Sequence, residues 1–464
     1  MTAPDKLPLT SAHWGTYRAR VGNGRVQELL AFEEDKDPSP IGHGIIDVQH
    51  GPTRIDAPMV RKSWLEGGPG HRPDLRGIDP FVEVTWETAN QLVAKELDRV
   101  RSNYGNSSIF GGSYGWASAG RFHHAQSQLH RFLNCIGGYT KSKFTYSFAA
   151  AEAMVPHILG SYRAYLDTCT SWDSIRENTE LFVCFGGVPL KNGQICQGGT
   201  GHHYQRENLI SAGEANIDFV NISPIKTDLL DQVGGDWLAV RPNTDVAILL
   251  GIAHTLQSEG LSDQSFLDQY TEGFEEFCSY LMGEPDGVPK TAEWAAQISE
   301  IPAQTIRSLA IQMVKKRTMI SVSWSLTRQD HGEQAFWAAI AVASMLGQIG
   351  LPGGGFGFGY SAVNYIGGQF TILPFSTFPQ GNNSVTDFIP VARISDMLLH
   401  PGESFDFDGK VYNYPDIRLM YWAGGNPFHH HQDINRMVKA WQKPDTVIVH
   451  EWCWNSLAKR ADIV

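Results

Sequence analysis

The chain of 464 residues is long enough for about three domains at roughly 150 residues each. Its 42% hydrophobic and 19% charged residues are typical of a globular protein with a large core. The net charge is −12, and no run of five basic residues occurs. This balance argues against nucleic acid or an anionic membrane as a main partner.

The six cysteines are scattered, with no CxxC pair and none in the first 134 residues. This distribution argues against a structural zinc site and against a cysteine-ligated iron–sulfur cluster near the amino terminus. It is typical of free thiols in a reducing compartment. The first residues contain no twin-arginine pair or apolar signal region, and the longest apolar run, 335–346, is too short to span a bilayer. We therefore expect a soluble, cytoplasmic protein without membrane insertion.

Residues 1–60 contain short alternating or apolar runs, including 26–32 and 44–48, and predict a small antiparallel sheet. A helix is predicted over 85–104, and a short strand at 108–110. Glycines then lie on both sides of Tyr114 and Trp116. Glycine lets the backbone come close to a bulky ligand, so this stretch is a candidate binding loop.

Two helices are predicted next, one from about residue 120 and one from near Ser147. Ser147 stands at the position of a helix N-cap, where the positive field of the helix start would favour a serine alkoxide beside a metal. An ordinary cap and an ordinary glycine turn explain the same residue types. The pattern by itself leaves both interpretations open.

From 180 to 346, apolar strand patterns alternate with helix patterns. The predicted strands are 180–185, 217–222, 238–240 and 319–324, and the predicted helices are 245–259, 262–270, 291–298, 303–315 and 333–346. This alternation predicts an α/β fold with a parallel sheet, in which ligands bind outside the carboxyl ends of the strands. The polar residues at those ends are Lys191, Asn192, Ser223, Asn243, Asp245, Ser325 and Arg328.

The last third of the chain is glycine-rich. A glycine loop is predicted at 351–359, and its spacing matches neither a dinucleotide-binding fingerprint nor a phosphate-binding loop. Residues 360–410 are predicted to be rich in loops, with a helix at 391–399. Strands are predicted at 419–423 and 447–450, and the final residues, 461–464, are strand-like.

Two familiar catalytic patterns are weak here. His429, His430 and His431 precede Asp433, but three adjacent histidines on one loop cannot all face one ion. Serine, histidine and aspartate are present without the GxSxG elbow of a hydrolase. The residue pattern alone therefore predicts an α/β chain with a large ligand at several strand ends.

Several motifs carry a family resemblance along nearly all 464 residues: 110–116, 146–147, 290–296, 345–357, 424–428 and 461–464. By these motifs the chain resembles the molybdopterin oxidoreductases of the dimethyl sulfoxide, trimethylamine N-oxide and biotin sulfoxide reductase group. The resemblance implies a small β-rich domain at 1–60 and two doubly wound α/β domains, at 166–374 and at 61–165 with 375–464. It also implies that the family's carboxyl-terminal β-barrel domain is absent from this chain.

The resemblance implies a bis(molybdopterin guanine dinucleotide) molybdenum cofactor without an iron–sulfur cluster. Ser147 matches the serine that ligates molybdenum, and Tyr114 and Trp116 match the aromatic pair above the metal. The implied cofactor contacts are Trp116, Lys191, Ser223, Asn243, Asp245, Trp324, Ser325, Arg328, Asn426, His430 and Glu451. Together they imply transfer of an oxygen atom from an S-oxide or N-oxide to reduced molybdenum, with Tyr114 favouring S-oxides and an unidentified partner donating electrons.

The chain also departs from the family pattern. Ser223 stands where aspartate is usual, Thr327 where glutamine is usual, and Phe148 begins a pair that is usually Thr-Gly. These departures concern the nucleotide contacts and the choice of substrate. Two alternatives stay open: a truncated, non-catalytic chain that binds part of the cofactor, and a hydrolase or sugar-binding protein.

Overall fold

A computed structural model describes residues 6–114, 124–368 and 378–464. The amino-terminal part is a three-stranded antiparallel sheet of β1 (Leu9–Ala12), β2 (Gly15–Gly22) and β3 (Arg25–Ala31), as predicted. The strand expected at 44–48 is wrong, because these residues lie in helix α1 (Ile41–Val48). A short apolar run fits a strand or a buried helix turn equally well, and here it packs on β3, where Gly42 approaches Leu29.

The remaining strands form two parallel five-stranded sheets and two antiparallel pairs. They are β4 (Met59–Arg61), β5 (Phe81–Glu83), β6 (Ile109–Gly112), β7 (Thr140–Lys143), β8 (Leu181–Phe185), β9 (Asp218–Ile222), β10 (Asp236–Leu238), β11 (Thr318–Val322), β12 (Gly355–Phe358), β13 (Phe388–Pro390), β14 (Ser404–Phe407), β15 (Lys410–Asn413), β16 (Leu419–Ala423) and β17 (Thr446–His450). The first sheet has the order β10-β9-β8-β11-β12 and the second β13-β7-β6-β16-β17. β4 pairs with β5, and β14 pairs with β15.

The helices connect and cover these strands. They are α2 (Lys62–Gly67), α3 (Trp86–Tyr104), α4 (Ala125–Cys135), α5 (Ala149–Leu159), α6 (Tyr162–Asp167), α7 (Trp172–Asn178), α8 (Leu190–Gly193), α9 (Gln205–Glu214), α10 (Asp245–Ser258), α11 (Gln264–Tyr270), α12 (Phe274–Leu281), α13 (Ala292–Ser299), α14 (Ala303–Lys315), α15 (Glu333–Met345), α16 (Ile394–Leu399), α17 (Pro427–His430) and α18 (Ile434–Ala440). Within the described segments, no helix combines the length and apolar character needed to cross a bilayer.

The α/β fold predicted from the sequence is confirmed in both sheets. Every residue of β8 and β11 is buried, as expected for parallel strands with helices on both faces. In β16, Met420 and Trp422 join one hydrophobic cluster while Leu419 and Tyr421 join the cluster on the opposite face. The domain boundaries inferred from the resemblance stay a prediction.

Two loop predictions were incomplete. The glycine stretch at 351–359 contains β12, the edge strand of the first sheet, where Gly357 leaves room for the ring of Tyr360. Residues 360–410 contain β13 and β14, the first strand of the β14–β15 hairpin, besides the predicted helix. Glycine lowers strand propensity, so close packing against neighbours rather than local preference forms β12.

The segment at 461–464 is held by isolated β-bridges, backbone hydrogen bonds and ionic contacts rather than as a full strand. Ile463 bridges both Val60 and Ile448, and Asp462 is fully buried. One carboxylate oxygen of Asp462 accepts from Nε of Arg61 at 2.8 Å, and the other accepts from Nη2 of Arg76 at 2.5 Å. These contacts define a buried ionic cluster that joins β4 to the end of the chain beside β17.

Candidate active site

Parallel pairing in the second sheet brings Tyr114 next to the loop that follows β16. Gly112 lies level with Trp422, so Tyr114 and Gly424 both emerge at the carboxyl edge of the sheet. The backbone N–H of Tyr114 donates to the carbonyl of Gly424 at 3.1 Å. Gly425 has φ +77°, and a Cβ at Gly425 would lie 2.7 Å from the Cβ of Tyr114. Glycine at position 425 therefore leaves the space that the Tyr114 side chain occupies.

A ring cluster surrounds the Tyr114 phenol. Trp422 meets it edge-on at 5.1 Å between ring centroids, and His430 lies at 5.2 Å. The Tyr114 hydroxyl is hydrogen-bonded to Nε2 of His431, and the Tyr146 ring lies 5.0 Å from that of His431. Burial raises the pKa of Tyr114 well above its ordinary value, so the phenol keeps its proton at neutral pH.

Ser147 lies at the entrance to α5 but does not cap it. The N-cap residue is Phe148, so the predicted N-cap role of Ser147 is wrong. Instead, the backbone N–H of Thr145 donates to the Glu152 carboxylate at 2.8 Å, which fixes the turn before the helix. Among the described residues, no hydrogen bond involves the Ser147 hydroxyl, and this oxygen is therefore available to an external ligand.

Thr327 and Arg328 approach Ser147 from the end of β11. The Thr327 hydroxyl donates to the Trp324 carbonyl at 2.8 Å and lies 3.3 Å from the Ser147 carbonyl, so the two loops are in contact. Arg328 is exposed and forms no ion pair with any described residue, although crowding by surrounding protein lowers its pKa. Arginine stays charged at neutral pH, so Arg328 provides an uncompensated cation beside the Ser147 loop.

Three strands of the first sheet end level with one another. Phe185 is in register with Ile222 and Val322, so the residues that follow these strands meet at one edge. Gly187, just after β8, has φ +70°, and a Cβ there would lie 2.5 Å from the Cβ of Asp228. This edge is where the sequence predicted the ligand-binding side chains.

Lys191 and Ser223 meet at this edge through Asp228. The Ser223 hydroxyl donates to Oδ2 of Asp228 at 2.8 Å, and Nζ of Lys191 lies 3.3 Å from Oδ1. Asp228 is buried, whereas two thirds of the Lys191 side chain is exposed and can reach an anion. A carboxylate is therefore present beside Ser223, where the family pattern has its aspartate at position 223 itself.

Asn243 and Asp245 lie at the start of α10, next to the end of β11. Asn243 has φ +64°, and its side chain is exposed. Asp245 is buried, burial raises its pKa, and Nε2 of Gln329 donates to its carboxylate at 3.3 Å. Gln329 thus joins α10 to the loop that carries Arg328.

Trp324 and Ser325 form the start of that loop. The Trp324 ring is buried against Phe148 at 4.3 Å between centroids, and its Nε1–H has no hydrogen-bond partner in the described part of the chain. A Cβ at Gly359 would lie 2.0 Å from this nitrogen. The Ser325 hydroxyl contacts that of Ser323 at 3.0 Å. A buried indole N–H without an acceptor is unusual in a folded protein, so this donor requires an explanation.

Asn426 and Glu451 are engaged mainly with their own loops. The Asn426 side chain accepts from the N–H of Phe428, at the start of α17, and donates to Ser456 at 2.9 Å. The Glu451 carboxylate accepts from Asn455 at 2.7 Å and from the backbone of the next residue. Because Ala423 is level with His450, both loops leave the same edge of the second sheet.

Trp116, predicted to lie above the metal, falls outside the described residues. In the segments that the structure describes, no group of three histidine, cysteine or acidic side chains could hold a metal ion, so the His429–His431 run does not form a metal site there. The sequence also missed Asp228, Gln329 and His431. His431 belongs to the run of three histidines, but its role depends on its contact with Tyr114, 317 positions earlier, which the sequence does not reveal.

Comparisons with known proteins show the family to which the chain belongs. The family model for "Molybdopterin oxidoreductase" matches residues 54–464, and that for "Molybdopterin oxidoreductase N-terminal domain" matches 10–50. The chain is 46% identical to the dimethyl sulfoxide/trimethylamine N-oxide reductase of Cereibacter sphaeroides, over 98% of this chain and 56% of the relative. It is 45% identical to the biotin sulfoxide reductase of the same organism, over 93% of this chain and 58% of the relative.

Among solved structures, acetylene hydratase from Pelobacter acetylenicus is similar with a TM-score of 0.60 at 16% identity, over 97% of this chain and 61% of that one. This likeness concerns the fold. The chain spans a little over half the length of the curated relatives described above. The family matches indicate a cofactor of molybdenum and molybdopterin. The chain belongs to the molybdopterin oxidoreductase family.

Proposed function

We propose that the chain binds a bis(molybdopterin guanine dinucleotide) molybdenum cofactor, without an iron–sulfur cluster, and reduces S-oxides or N-oxides. The observation that carries this proposal is the Ser147 hydroxyl, which has no hydrogen bond with described residues. Its loop contacts the loop of Thr327 and, through Tyr146, the ring cluster around Tyr114. The names of the relatives support the substrate class.

The residues present fit such a group. Ser147 offers a hard oxygen to the metal, and Arg328 and Lys191 offer cations to pyrophosphates. The buried Nε1–H of Trp324 needs an acceptor, which a cofactor oxygen or nitrogen would provide. We also assign the remaining nucleotide contacts to the strand-end residues Ser223, Asn243, Asp245, Ser325, Asn426, His430 and Glu451.

When bound, the cofactor supplies the two-electron chemistry of oxygen-atom transfer. The chain's own contribution is to hold the substrate oxygen beside a neutral phenol. Tyr114 keeps its proton because burial raises its pKa, so it would donate a hydrogen bond to the substrate oxygen as negative charge grows there. This donor favours S-oxides. The neighbouring rings of Trp422 and His430 pack on the Tyr114 ring and keep the phenol in a largely apolar environment.

The test is to express the chain in cells supplied with molybdate and to measure molybdenum, acid-released GMP, and dimethyl sulfoxide reduction. A reduced viologen dye replaces the unidentified electron donor. We expect molybdenum and GMP together in the purified protein, and loss of turnover in Ser147→Ala. Ser262→Ala is the matched control, because its hydroxyl makes only a 3.5 Å contact with Gln257.

Three results would contradict the proposal in different ways. Full activity in Ser147→Ala would remove the ligand assignment. GMP without molybdenum would favour a chain that binds part of the cofactor and does not catalyse. Absence of both would reopen the hydrolase or sugar-binding alternative.

A further inference from the structure

His431 is a buried side chain that no cofactor contact accounts for. It follows α17, its backbone N–H donates to the carbonyl of Pro427 at 3.1 Å, and 8% of the residue is exposed. Its ring lies roughly parallel to that of Tyr114, at 6.0 Å between centroids, and its Nε2 is hydrogen-bonded to the Tyr114 hydroxyl. The geometry thus couples this histidine to the phenol proposed to touch the substrate.

We infer that His431 is a positioning residue whose Nε2–H donates to the Tyr114 oxygen, so that the Tyr114 proton points at the substrate oxygen. The inference deepens the proposed function and rests on it for the role of Tyr114. The hydrogen bond itself belongs to the chain and does not depend on the cofactor.

The argument starts from the number of protons available. A phenol has one proton to donate and can also accept, whereas a neutral imidazole donates from one nitrogen and accepts at the other. If Nε2 of His431 accepted, the only proton of Tyr114 would be used inside the protein. If Nε2 donates, the phenol proton is free for the substrate, and the chain of two hydrogen bonds strengthens both.

The surroundings keep the imidazole neutral and the two rings in place. Burial and the neighbouring His430 lower the pKa of His431 to about 4. Tyr146 packs on the His431 ring at 5.0 Å, and its own hydroxyl donates to Gln432 at 2.6 Å, so it does not compete for Nε2. Neutral imidazole carries its proton preferentially on Nε2 in water, and the Tyr114 hydroxyl is the hydrogen-bond partner of that nitrogen among the described residues.

A double-mutant cycle tests the functional consequence. His431→Leu removes the donor, and His431→Gln keeps an N–H at a similar reach. We expect His431→Leu to lower kcat for dimethyl sulfoxide by about tenfold, the typical effect of one hydrogen bond to a group that gains charge, with little change in KM. We expect His431→Gln to recover most of that loss. In a Tyr114→Phe background, neither change should lower kcat further, since the hydroxyl that His431 orients is gone.

The tautomer is measured separately, on the full chain labelled with ¹⁵N-histidine. The His431 signals are identified by their absence from the His431→Gln spectrum. We expect a protonated Nε2 and an unprotonated Nδ1. An unprotonated Nε2 would overturn the inference, as would equal losses of kcat in the Tyr114 and Tyr114→Phe backgrounds. If the protein reduces no oxide while Nε2 is protonated, the proposed function fails and the His431–Tyr114 hydrogen bond stands.

Discussion

Replacing Asp462 with asparagine should loosen the strand that leads into one side of the site. Asp462 is fully buried and accepts from Arg61, from Arg76, and from the backbone N–H of Val447 at 2.8 Å. Val447 lies in β17, which ends immediately before Glu451. The change keeps the volume of the side chain and removes its charge.

The magnitude follows from burial. Arg61 is 0% exposed and Arg76 is 6% exposed. Among the described residues, Arg76 would lose its counter-ion and Arg61 would keep only Asp79, at 3.4 Å, so the cluster would carry one uncompensated buried positive charge. The NH₂ group of an asparagine would also face N–H groups that now donate to the Asp462 carboxylate. Removing one partner of a buried ion pair costs ~3–5 kcal/mol, because it leaves an uncompensated buried charge.

The assay is hydrogen exchange of the segments 59–62 and 446–450, followed by mass spectrometry. A loss of this size raises the exchange rate of protected amides by roughly a hundredfold to several thousandfold. The control is Asp74→Asn, which removes the Arg72–Asp74 contact of 2.8 Å in which about half of each side chain is exposed. The control should leave exchange unchanged. Exchange in Asp462→Asn within threefold of the wild type would refute the reasoning.

Three further predictions concern the site. Gly425→Ala should lower the free energy of unfolding by ~1–3 kcal/mol and displace Tyr114, because alanine disfavours φ +77° and its Cβ would lie 2.7 Å from that of Tyr114. The urea midpoint measures the loss of stability, and dimethyl sulfoxide turnover measures the displacement of Tyr114. Between pH 6.5 and about 4, His431 is protonated in the unfolded state and neutral in the folded state. The free energy of unfolding should therefore fall by at most ~3 kcal/mol as the pH drops through this range. His431→Gln should remove that part of the slope in urea titrations. Asp228→Ala should lower the GMP content of the purified protein, because Ser223 loses its partner and Lys191 its orienting charge; unchanged GMP would contradict this role.

The strands and their ends were accessible from the sequence because their signals are local. The buried apolar runs that become β8 and β11 are continuous, and the parallel arrangement follows from the helices between them. Once the sheet is parallel, the polar residues after its strands must share an edge. For this reason the sequence alone is enough to group Lys191, Ser223 and Arg328.

The sequence could not supply the partners that cross between distant segments. Asp228 acquires its role through Lys191, 37 positions earlier, and His431 through Tyr114, 317 positions earlier. Neither contact can be recognised from the hydrophobic periodicity or the composition of the sequence. The prediction of a strand at 44–48 failed for a related reason. Packing on β3, rather than a local sequence signal, determines that residues 41–48 form a helix.

X-ray absorption at the molybdenum edge tests the central claim most directly, by comparing the wild-type protein with Ser147→Cys. We predict that the wild-type spectrum contains an oxygen neighbour of molybdenum from the protein and that the variant replaces it with sulfur. Identical spectra for the two proteins would contradict the assignment of Ser147 as the metal ligand.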